Sequence, residues 1–564
     1  MAKERYGFRD AVGWLREIVG PDSAYIRLGL VYGVAISLLS LATPISVQLL
    51  INSVTNTALP APLWTLAGVL FLLLLIVAGL SAARVYIMAL FERRFFARVV
   101  AEITVRAVHA QNPFFADQKR GDLFNRYFDM VVVQKSIPSL VINAFTIILQ
   151  SAVGLVVTSF YHPFFLAFNL ILLIVLFLIW AVWARPSIGS AVALSHAKHD
   201  TARWLESVGG SNGFYKSSRH LNFAMERSER ATAAYVDRHR SYIRYTFAQT
   251  LSFFFLYAFA SAALLALGGN LILDNQLSIG QLVAAELILS GVFYGVSQLG
   301  WYVDVFYELV ASSEELSLLF SIPQEPHATR GREGPRDGSV ALADVAIDGA
   351  RFDFRLAPGE QLVTMADPHA ARLLAQLLKR HLQPERGLVT IGGADLGALD
   401  MYLLRSEVMV LDRPTIVEVT IREYLTLAGP HATPSAILEV LDAVGLQHRI
   451  SALAQGLDTP LASSGFPLSI GEVMALKLAN AILVRPKVLV LSQLSDLLPP
   501  SCLAAALRLL KRDGTTTLVI TGRPEDIALD GWFWLGASDQ RRCASEADLR
   551  TAAASEEAGG AASA

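Results

Sequence analysis

The sequence has 564 residues, of which 53% are hydrophobic and 17% are charged, and its formal net charge is −2. A soluble protein of this size would carry charge on about a quarter of its residues, so the composition indicates a membrane protein. The near-neutral balance argues against nucleic acid as a partner. Two cysteines, Cys502 and Cys543, are too few for a disulfide framework or a cysteine metal cluster and suit a reducing cytosol.

The chain begins with a segment, FRDAVGWLREIVG, that has the pattern of an amphipathic helix. Trp14 and Leu15 stand beside Arg16, as expected for a helix that lies in the inner membrane interface. We therefore assign residues 1–24 to an interfacial elbow helix.

Six apolar runs follow that are long enough, or nearly so, to cross a bilayer, which takes about 20 residues each. They lie near residues 27–51, 63–90, 138–160, 162–183, 246–269 and 279–305. We assign residues 25–321 to a transmembrane domain built from them.

The basic residues of the connections predict the topology. The second-to-third connection carries eight Lys or Arg residues and the fourth-to-fifth carries ten, whereas the three alternate loops carry none. Lysine and arginine are enriched on the cytoplasmic side of membrane proteins. Both termini and both long loops are therefore expected in the cytoplasm of a multi-pass protein of the inner (plasma) membrane.

Both long loops keep apolar residues at spacings of three and four, so the membrane helices are expected to continue into the cytosol. Each loop also contains glycines that permit a sharp turn, and a short helix is expected there across the long ones. The glycines are Gly121 in the first loop and Gly209, Gly210 and Gly213 in the second.

A proline- and charge-rich linker, residues 322–339, leads to a region that alternates β-like with helical runs. This alternation predicts an α/β domain over residues 340–548. The last residues, 549–564, have little apolar content and are expected to be disordered.

Two groups of polar residues in the membrane half are candidates for a metal site or for a role within the membrane. His196 and His199 have a spacing that would suit a metal, but no third ligand is apparent, so a solvated cytoplasmic helix is favoured and no metal is expected. Glu286 lies within the sixth apolar run, near Asp304 at its end. Ionisable groups at membrane depth are commonly functional, so Glu286 either faces a pore or turns toward a second subunit.

The membrane half resembles a half-transporter of the ATP-binding cassette (ABC) exporters, above all the type I secretion and peptide exporters. LATPISVQLLINSV (41–54) is similar to their first membrane helix, and LSIGQLVAAELILSGVF (277–293) to the start of their sixth. FFADQKRGDLFNRYFD (114–129) is similar to their first coupling loop. The resemblance assigns coupling-loop positions to Lys119, Arg120, Gly121, Asp122, Leu123, Gly209 and Gly210.

The second half follows the order of the exporters' nucleotide-binding, or cassette, domain. LAPGEQLVTM (356–365) is similar to the strand before the Walker A loop, and RPKVLVLSQLSD (485–496) stands at Walker B. The resemblance implies six exporter-type transmembrane helices followed by a cytosolic α/β P-loop-type cassette domain. The residues at the nucleotide positions, however, predict a cassette that lacks a functional P-loop.

A phosphate cradle needs converging backbone N–H groups, a lysine and a hydroxyl, in the pattern G-x-x-x-x-G-K-[ST]. Here the corresponding stretch is about two residues shorter and has no glycine. Asp367 adds negative charge and Pro368 removes a donor. A plain strand-to-helix turn is favoured over a cradle in which Arg372 replaces the lysine. The degenerate Walker A positions are Ala366, Asp367, Pro368, His369 and Arg372.

The other nucleotide positions point the same way. Asp412 stands where the Q-loop glutamine is expected, and Gly522 where the switch histidine is expected. Ser492 and Gln493 replace the magnesium-binding aspartate and the catalytic glutamate of Walker B, and a glutamine cannot act as a general base. The combined losses leave no plausible hydrolytic route, so we expect no ATPase activity and no cofactor of its own.

The signature-like loop keeps more of the family's pattern. The resemblance implies that this loop would cap a nucleotide held by the opposite subunit. Ile470 replaces a glycine, so the loop either still caps that nucleotide or is closed off by the branched side chain. Its positions are Leu468, Ser469, Ile470, Gly471 and Glu472.

The favoured function is a non-hydrolysing half of an exporter, paired with an ATPase-competent half that binds ATP and magnesium. A heterodimer is preferred to a homodimer. Membrane lipids and a periplasmic adaptor are further expected partners, and the cargo is a polypeptide, a peptide or another solute. The alternative is a pseudo-transporter that acts as a membrane scaffold or regulator, and an active homodimeric ATPase is disfavoured.

The loop charges generate the first testable prediction. In a background without Cys502 and Cys543, Asn275→Cys should react with an impermeant thiol reagent added to sealed cells, whereas Lys216→Cys should react only after lysis. Labelling of Lys216→Cys in sealed cells would contradict the predicted topology.

Overall fold

The computed structural model describes residues 8–56, 60–111, 121–274, 276, 279–325 and 333–563. The chain forms two compact units, Met1–Glu325 and Pro326–Ala564. Residues 326–332 of the predicted linker lie outside the described residues.

The described part of the N-terminal unit is built from helices. They are α1 (Phe8–Val19), α2 (Ser23–Leu39), α3 (Ala42–Asn56), α4 (Pro60–Val108), α5 (Asp129–Ser139), α6 (Phe145–Ser159), α7 (Pro163–Gly210), α8 (Ser218–Leu273) and α9 (Ile279–Phe320).

These helices contain six stretches that are long and apolar enough to cross a membrane, which confirms a multi-pass membrane protein. The first stretch, Arg9–Ile51, runs through α1, α2 and α3, the third includes α5 and α6, and α4, α7, α8 and α9 provide one each. The four last-named helices contain 49, 48, 56 and 42 residues. A crossing takes about 20 residues, so these helices extend well beyond a bilayer, as the sequence predicted.

Proline accounts for two irregularities of the spans. The first span is interrupted between Leu39 and Ala42, just before Pro44. In the third span, Pro138 lies at the end of α5 and is followed by one π-helical turn, Leu140–Ala144. Proline lacks the N–H that a helix interior requires, and such turns absorb the mismatch.

Helix α1 forms where the amphipathic pattern predicts it, but its apolar face is covered by protein. Ala11 is fully buried in a cluster with Tyr307 of α9, and Ile18 is fully buried in a cluster with Phe91 and Phe95 of α4. The helix therefore packs on two of the long helices.

The second unit alternates strands and helices. Its strands are β1 (Val340–Ile347), β2 (Ala350–Leu356), β3 (Gln361–Ala366), β4 (Arg386–Ile391), β5 (Ala394–Asp395), β6 (Val408–Leu411), β7 (Val488–Leu491), β8 (Thr516–Ile520), β9 (Gly531–Leu535) and β10 (Gln540–Cys543). Its helices are α10 (Pro368–Leu378), α11 (Met401–Glu407), α12 (Ile421–Thr426), α13 (Pro434–Ala443), α14 (Gln447–Ser451), α15 (Ile470–Val484), α16 (Pro500–Arg512) and α17 (Glu546–Ser563).

Two sheets organise this unit. A four-stranded antiparallel sheet has the order β2-β1-β4-β5, and a six-stranded sheet has the order β10-β9-β3-β8-β7-β6. In the larger sheet only the β9–β10 pair is antiparallel. This α/β domain with a mixed sheet agrees with the predicted alternation of elements.

The larger sheet is buried on both faces because side chains alternate along each strand. On β7, Val488 and Val490 pack with the smaller sheet and α10, whereas Leu489 and Leu491 pack with α13, α15 and α16. The sheet therefore separates two apolar cores.

The C-terminal residues differ from the expected disordered tail. Helix α17 spans Glu546–Ser563, and Leu549 and Ala552 are buried against Trp534 and Cys543. Alanine favours the helix, and the few apolar side chains of the segment are grouped on the face that meets β9 and β10.

The two-sided core makes a stability prediction. Leu489 is fully buried in β7, whereas Leu438 on α13 is half-exposed. Leu489→Ala should destabilise the second unit by about 2–5 kcal/mol through lost burial and a residual cavity. Leu438→Ala is the matched control and should shift the thermal unfolding midpoint of the purified chain far less. Equal shifts for the two variants would contradict the assigned core.

Candidate functional site

The predicted nucleotide positions meet at one edge of the six-stranded sheet. Strands β3, β8, β7 and β6 are adjacent and parallel, so their carboxyl ends lie side by side. Ligands of open α/β sheets bind outside such carboxyl ends. The residues that leave these four strands are Asp367, Thr521 with Gly522, Ser492 and Asp412.

Strand β3 passes into α10 through a single residue. Asp367 follows Ala366, the last residue of β3, and serves as the N-cap of α10. Its carboxylate accepts a hydrogen bond from Ala370 N at 2.9 Å, and its own N–H donates to Leu535 O of β9 at 2.9 Å. A carboxylate of the chain itself therefore occupies the helix end at which an anion would bind.

The neighbours of Asp367 extend the same turn. Pro368 occupies the first helical position, where its missing N–H leaves no hydrogen bond unmade. His369 lies against the turn between β1 and β2, with Nε2 3.2 Å from Asp348 O. Arg372 is exposed on α10.

The segment after β7 is tied to the segment after β8 by a residue that sequence reasoning missed. The Asp496 carboxylate accepts hydrogen bonds from Thr521 Oγ1 at 2.6 Å and from Gly522 N at 2.9 Å. Ser492 caps the short 3-10 helix that begins at Gln493, with 3.4 Å between its Oγ and Leu494 N. An acidic residue soon after an apolar strand was the available signal for Asp496.

Gly522 and Gln493 also stand in direct contact. A Cβ atom built on Gly522 would lie 2.7 Å from Gln493 Nε2. A larger side chain at position 522 would therefore have to displace Gln493, so the two positions are sterically coupled.

Asp412, at the end of β6, lies among cationic groups. Burial lowers the pKa of Lys379 and of Lys477 below the usual lysine value, and the charge of Asp412 acts in the opposite direction on both. Lys477 Nζ donates to Arg413 O at 2.8 Å. Both lysines were missed because Lys379 follows α10 and Lys477 lies on α15, far from Asp412 in sequence.

The signature-like loop forms the start of α15. Ser469 is its N-cap, and Ser469 with Glu472 makes a reciprocal capping box. Arg449 donates from Nε to Glu472 Oε1 at 3.0 Å. Leu468 is buried, while the side chain of Ile470 is half-exposed.

Gly471 is also constrained, because a Cβ there would lie 3.2 Å from Leu497 O. The capping serine and the tightly packed glycine both have local structural roles.

The coupling-loop predictions are placed only in part. Lys119 and Arg120 lie outside the described residues, and Gly121, Asp122 and Leu123 begin a 3-10 helix, Gly121–Phe128. In the second loop, Gly209 and Gly210 are the last residues of α7, so the expectation that they form the turn is wrong. The turn follows at residues 211–213, and a three-residue 3-10 helix, Phe214–Lys216, stands where a short helix was expected.

The polar residues of the membrane unit make contacts that the sequence did not predict. Glu286 accepts a hydrogen bond from Ser290 Oγ at 2.9 Å, one turn along α9. His199 is buried, and its Nε2 lies 2.5 Å from Asp129 Oδ2. The expectation that both histidines lie on a solvated helix is therefore wrong for His199, whereas the His196 side chain is 39% exposed.

The same two histidines do not share one site. His196 contacts Glu314 and Glu315 of α9, which are buried. These three residues are the group in the described part of the chain whose ligand atoms lie close enough together to hold a metal ion.

Known proteins agree with this architecture. Residues 26–296 match the family described as the ABC transporter transmembrane region. The ABC transporter ATP-binding protein YknU of Bacillus subtilis is 26% identical over 46% of this chain and 46% of its own length. The cyclolysin secretion/processing ATP-binding protein CyaB of Bordetella pertussis is 26% identical over 45% of this chain and 38% of its own length.

A longer match reaches into the second unit. The leukotoxin translocation ATP-binding protein LktB of Mannheimia glucosida is 21% identical over 83% of this chain and 68% of its own length. The matches to YknU and CyaB span less than half of those relatives. The chain thus has the transmembrane region of an ABC exporter, followed by a nucleotide-binding-like domain.

Proposed function

We propose that this chain is the non-hydrolysing subunit of an ABC exporter and pairs with an ATPase-competent half-transporter. The observation that carries this proposal is the Asp367 carboxylate, which accepts the Ala370 N–H at the start of α10. The transmembrane region supplies half of a membrane pathway, and the second unit supplies a folded cassette.

The turn at Asp367 is unsuited to a triphosphate. A phosphate group needs several N–H donors and a cationic side chain. Here one N–H is engaged by the carboxylate, Pro368 has none to offer, and a single residue joins β3 to α10. A phosphate in this position would also be repelled by the negative charge of Asp367.

The neighbouring positions support the same conclusion. Magnesium prefers carboxylate and phosphate oxygens, and Ser492 follows β7 where the metal-binding carboxylate is expected. Gln493 cannot remove a proton from water. The nearby carboxylate of Asp496 holds Thr521 and Gly522 through two hydrogen bonds, which assigns it a structural role.

The signature-like loop is the part that would act on a partner. In the proposed pair, Ser469–Glu472 faces the nucleotide that the competent subunit holds, together with its magnesium. The capping box and the Arg449–Glu472 contact make this loop rigid. The half-exposed Ile470 side chain sets how closely it approaches.

The cargo we propose is a polypeptide or peptide. CyaB and LktB are named for cyclolysin secretion and leukotoxin translocation, and they are similar to this chain over 45% and 83% of its length. We propose a heterodimer in the inner membrane, with a periplasmic adaptor as a further partner and Asp122 and Leu123 in the first coupling segment.

Nucleotide binding provides the direct test. Purified alone, the chain should show no ATPase activity and no change in thermal unfolding with magnesium and ATP, because Asp367 occupies the phosphate position. A ligand at a hundred times its Kd would stabilise the fold by about 2.7 kcal/mol, so binding would be readily seen. The intact partner subunit is the positive control.

A magnesium-dependent shift with ATP that is lost in Arg372→Ala would overturn the proposed absence of binding. It would show that Arg372, exposed on α10, replaces the missing lysine.

The co-purified pair provides a second test. Ser469→Arg should lower the ATPase rate of the partner, because a bulky cation would collide at the closing interface. Ser435→Arg, at an exposed serine on α13, is the matched control and should leave the rate unchanged. Gln493→Glu should also change little, because the cradle and metal ligand are still missing.

A measurement of cargo transport by the same co-purified pair distinguishes the coupling of the two units from ATP hydrolysis itself. Replacing Asp122 or Leu123 should leave part of the ATPase rate and reduce cargo efflux. If no partner co-purifies, or if Ser469→Arg changes neither rate nor efflux, a membrane scaffold becomes the better description.

A further inference from the structure

Three polar side chains converge between α7 and α9, outside the apolar runs that cross the membrane. His196 Nε2 lies 3.0 Å from Glu314 Oε2 and 3.7 Å from Glu315 Oε1. One ligand atom from each residue lies within 4.8 Å of the other two. The group therefore joins two long helices through one nitrogen and two oxygens.

The burial of the group is unusual. The side chain of Glu315 has no exposed surface and that of Glu314 is 7% exposed, so two carboxylates share a buried space. Buried charges are costly unless they are paired or bind a metal. The His196 side chain is 39% exposed, so the group is open to solvent on the side of His196.

Arg126 accounts for only one of the carboxylate oxygens. Its guanidinium contacts Glu315 Oε2. Glu315 Oε1 is buried with no hydrogen-bond partner in the described part of the chain, and it faces His196. A carboxylate that binds a metal through one oxygen commonly accepts a hydrogen bond at the other, so Arg126 fits the role of orienting Glu315.

We propose that His196, Glu314 and Glu315 bind a divalent transition-metal ion of the Zn²⁺ class. Imidazole and carboxylate are common zinc ligands with bond lengths of about 2.0–2.2 Å, which places ligand atoms about 3.4 Å apart in a tetrahedron. The separations of 3.0 and 3.7 Å from His196 Nε2 bracket that value. Water enters from the exposed side of His196 as the fourth ligand.

The ion has a mechanical consequence. It crosslinks α7 to α9, which also pack on each other through the apolar cluster that contains Val192 and Val310. Binding to the folded arrangement alone stabilises that arrangement. Because the group lies entirely within the N-terminal unit, the inference does not depend on the proposed lack of ATPase activity.

The competing explanation is a protonated His196 that forms ion pairs with both glutamates. A metal-binding experiment distinguishes this ion-paired group from a metal site.

The full chain, purified in detergent with a tag free of histidine and stripped with EDTA, is incubated with Zn²⁺ and desalted. We expect about one retained ion per chain by elemental analysis, and a higher melting temperature than in the metal-free protein. Co²⁺ in place of Zn²⁺ should give the visible absorption of a nitrogen–oxygen site.

Variants locate the ion. His196→Ala and Glu315→Gln should each weaken retention by more than about tenfold, as expected when a ligand or its orientation is lost. His239→Ala removes an exposed histidine of α8 that stacks on Tyr235 and should retain the ion as the parent does. Melting temperatures measured without metal show whether each variant is folded.

Two results would overturn the inference. One is parent protein that retains no more Zn²⁺ than His196→Ala at any pH between 6 and 8, which would assign the group to a protonated histidine. The other is retained Zn²⁺ that is lost equally in His239→Ala, which would indicate surface binding only.

Discussion

One hydrogen bond determines what the edge of the central sheet can bind. The Asp367 carboxylate accepts the Ala370 N–H at 2.9 Å and so closes the start of α10 with a charge of the chain itself. A helix N-terminus carries a partial positive charge that favours anions. Here that preference is satisfied internally by the Asp367 carboxylate. The proposed loss of nucleotide binding follows from this local arrangement.

At the ends of the neighbouring strands, polar groups are also bound by other groups of the same chain. Asp496 bridges the segments after β7 and β8, and Gln493 lies so close to Gly522 that a larger side chain there would have to displace it. The edge is thus held by contacts within the chain, in a sheet with apolar cores on both faces. In the proposed pair, such a unit would act as a rigid body that presents Ser469 and Ile470 to its partner.

The membrane unit combines apolar spans with polar contacts between their extensions. Asp129 binds Lys198 and His199 of α7, and Tyr242 of α8 donates to Asp304 of α9. Each contact joins residues at least 62 positions apart in the sequence, and the buried contact between Asp129 and His199 is stronger than it would be in water. The group at His196 belongs to this layer. A metal there would add a crosslink that responds to the concentration of that ion.

Sequence alone determined the features that depend on local composition and order. Apolar length identified the six spans, and the missing glycines with Asp367 and Pro368 predicted the plain turn at α10. Tertiary structure decided the features that depend on distant neighbours: the partners of Asp496 and His199, the convergence of His196 with α9, and the order of α17. Local patterns report the environment along a strand or helix, whereas a buried polar side chain takes its role from whatever the fold brings against it.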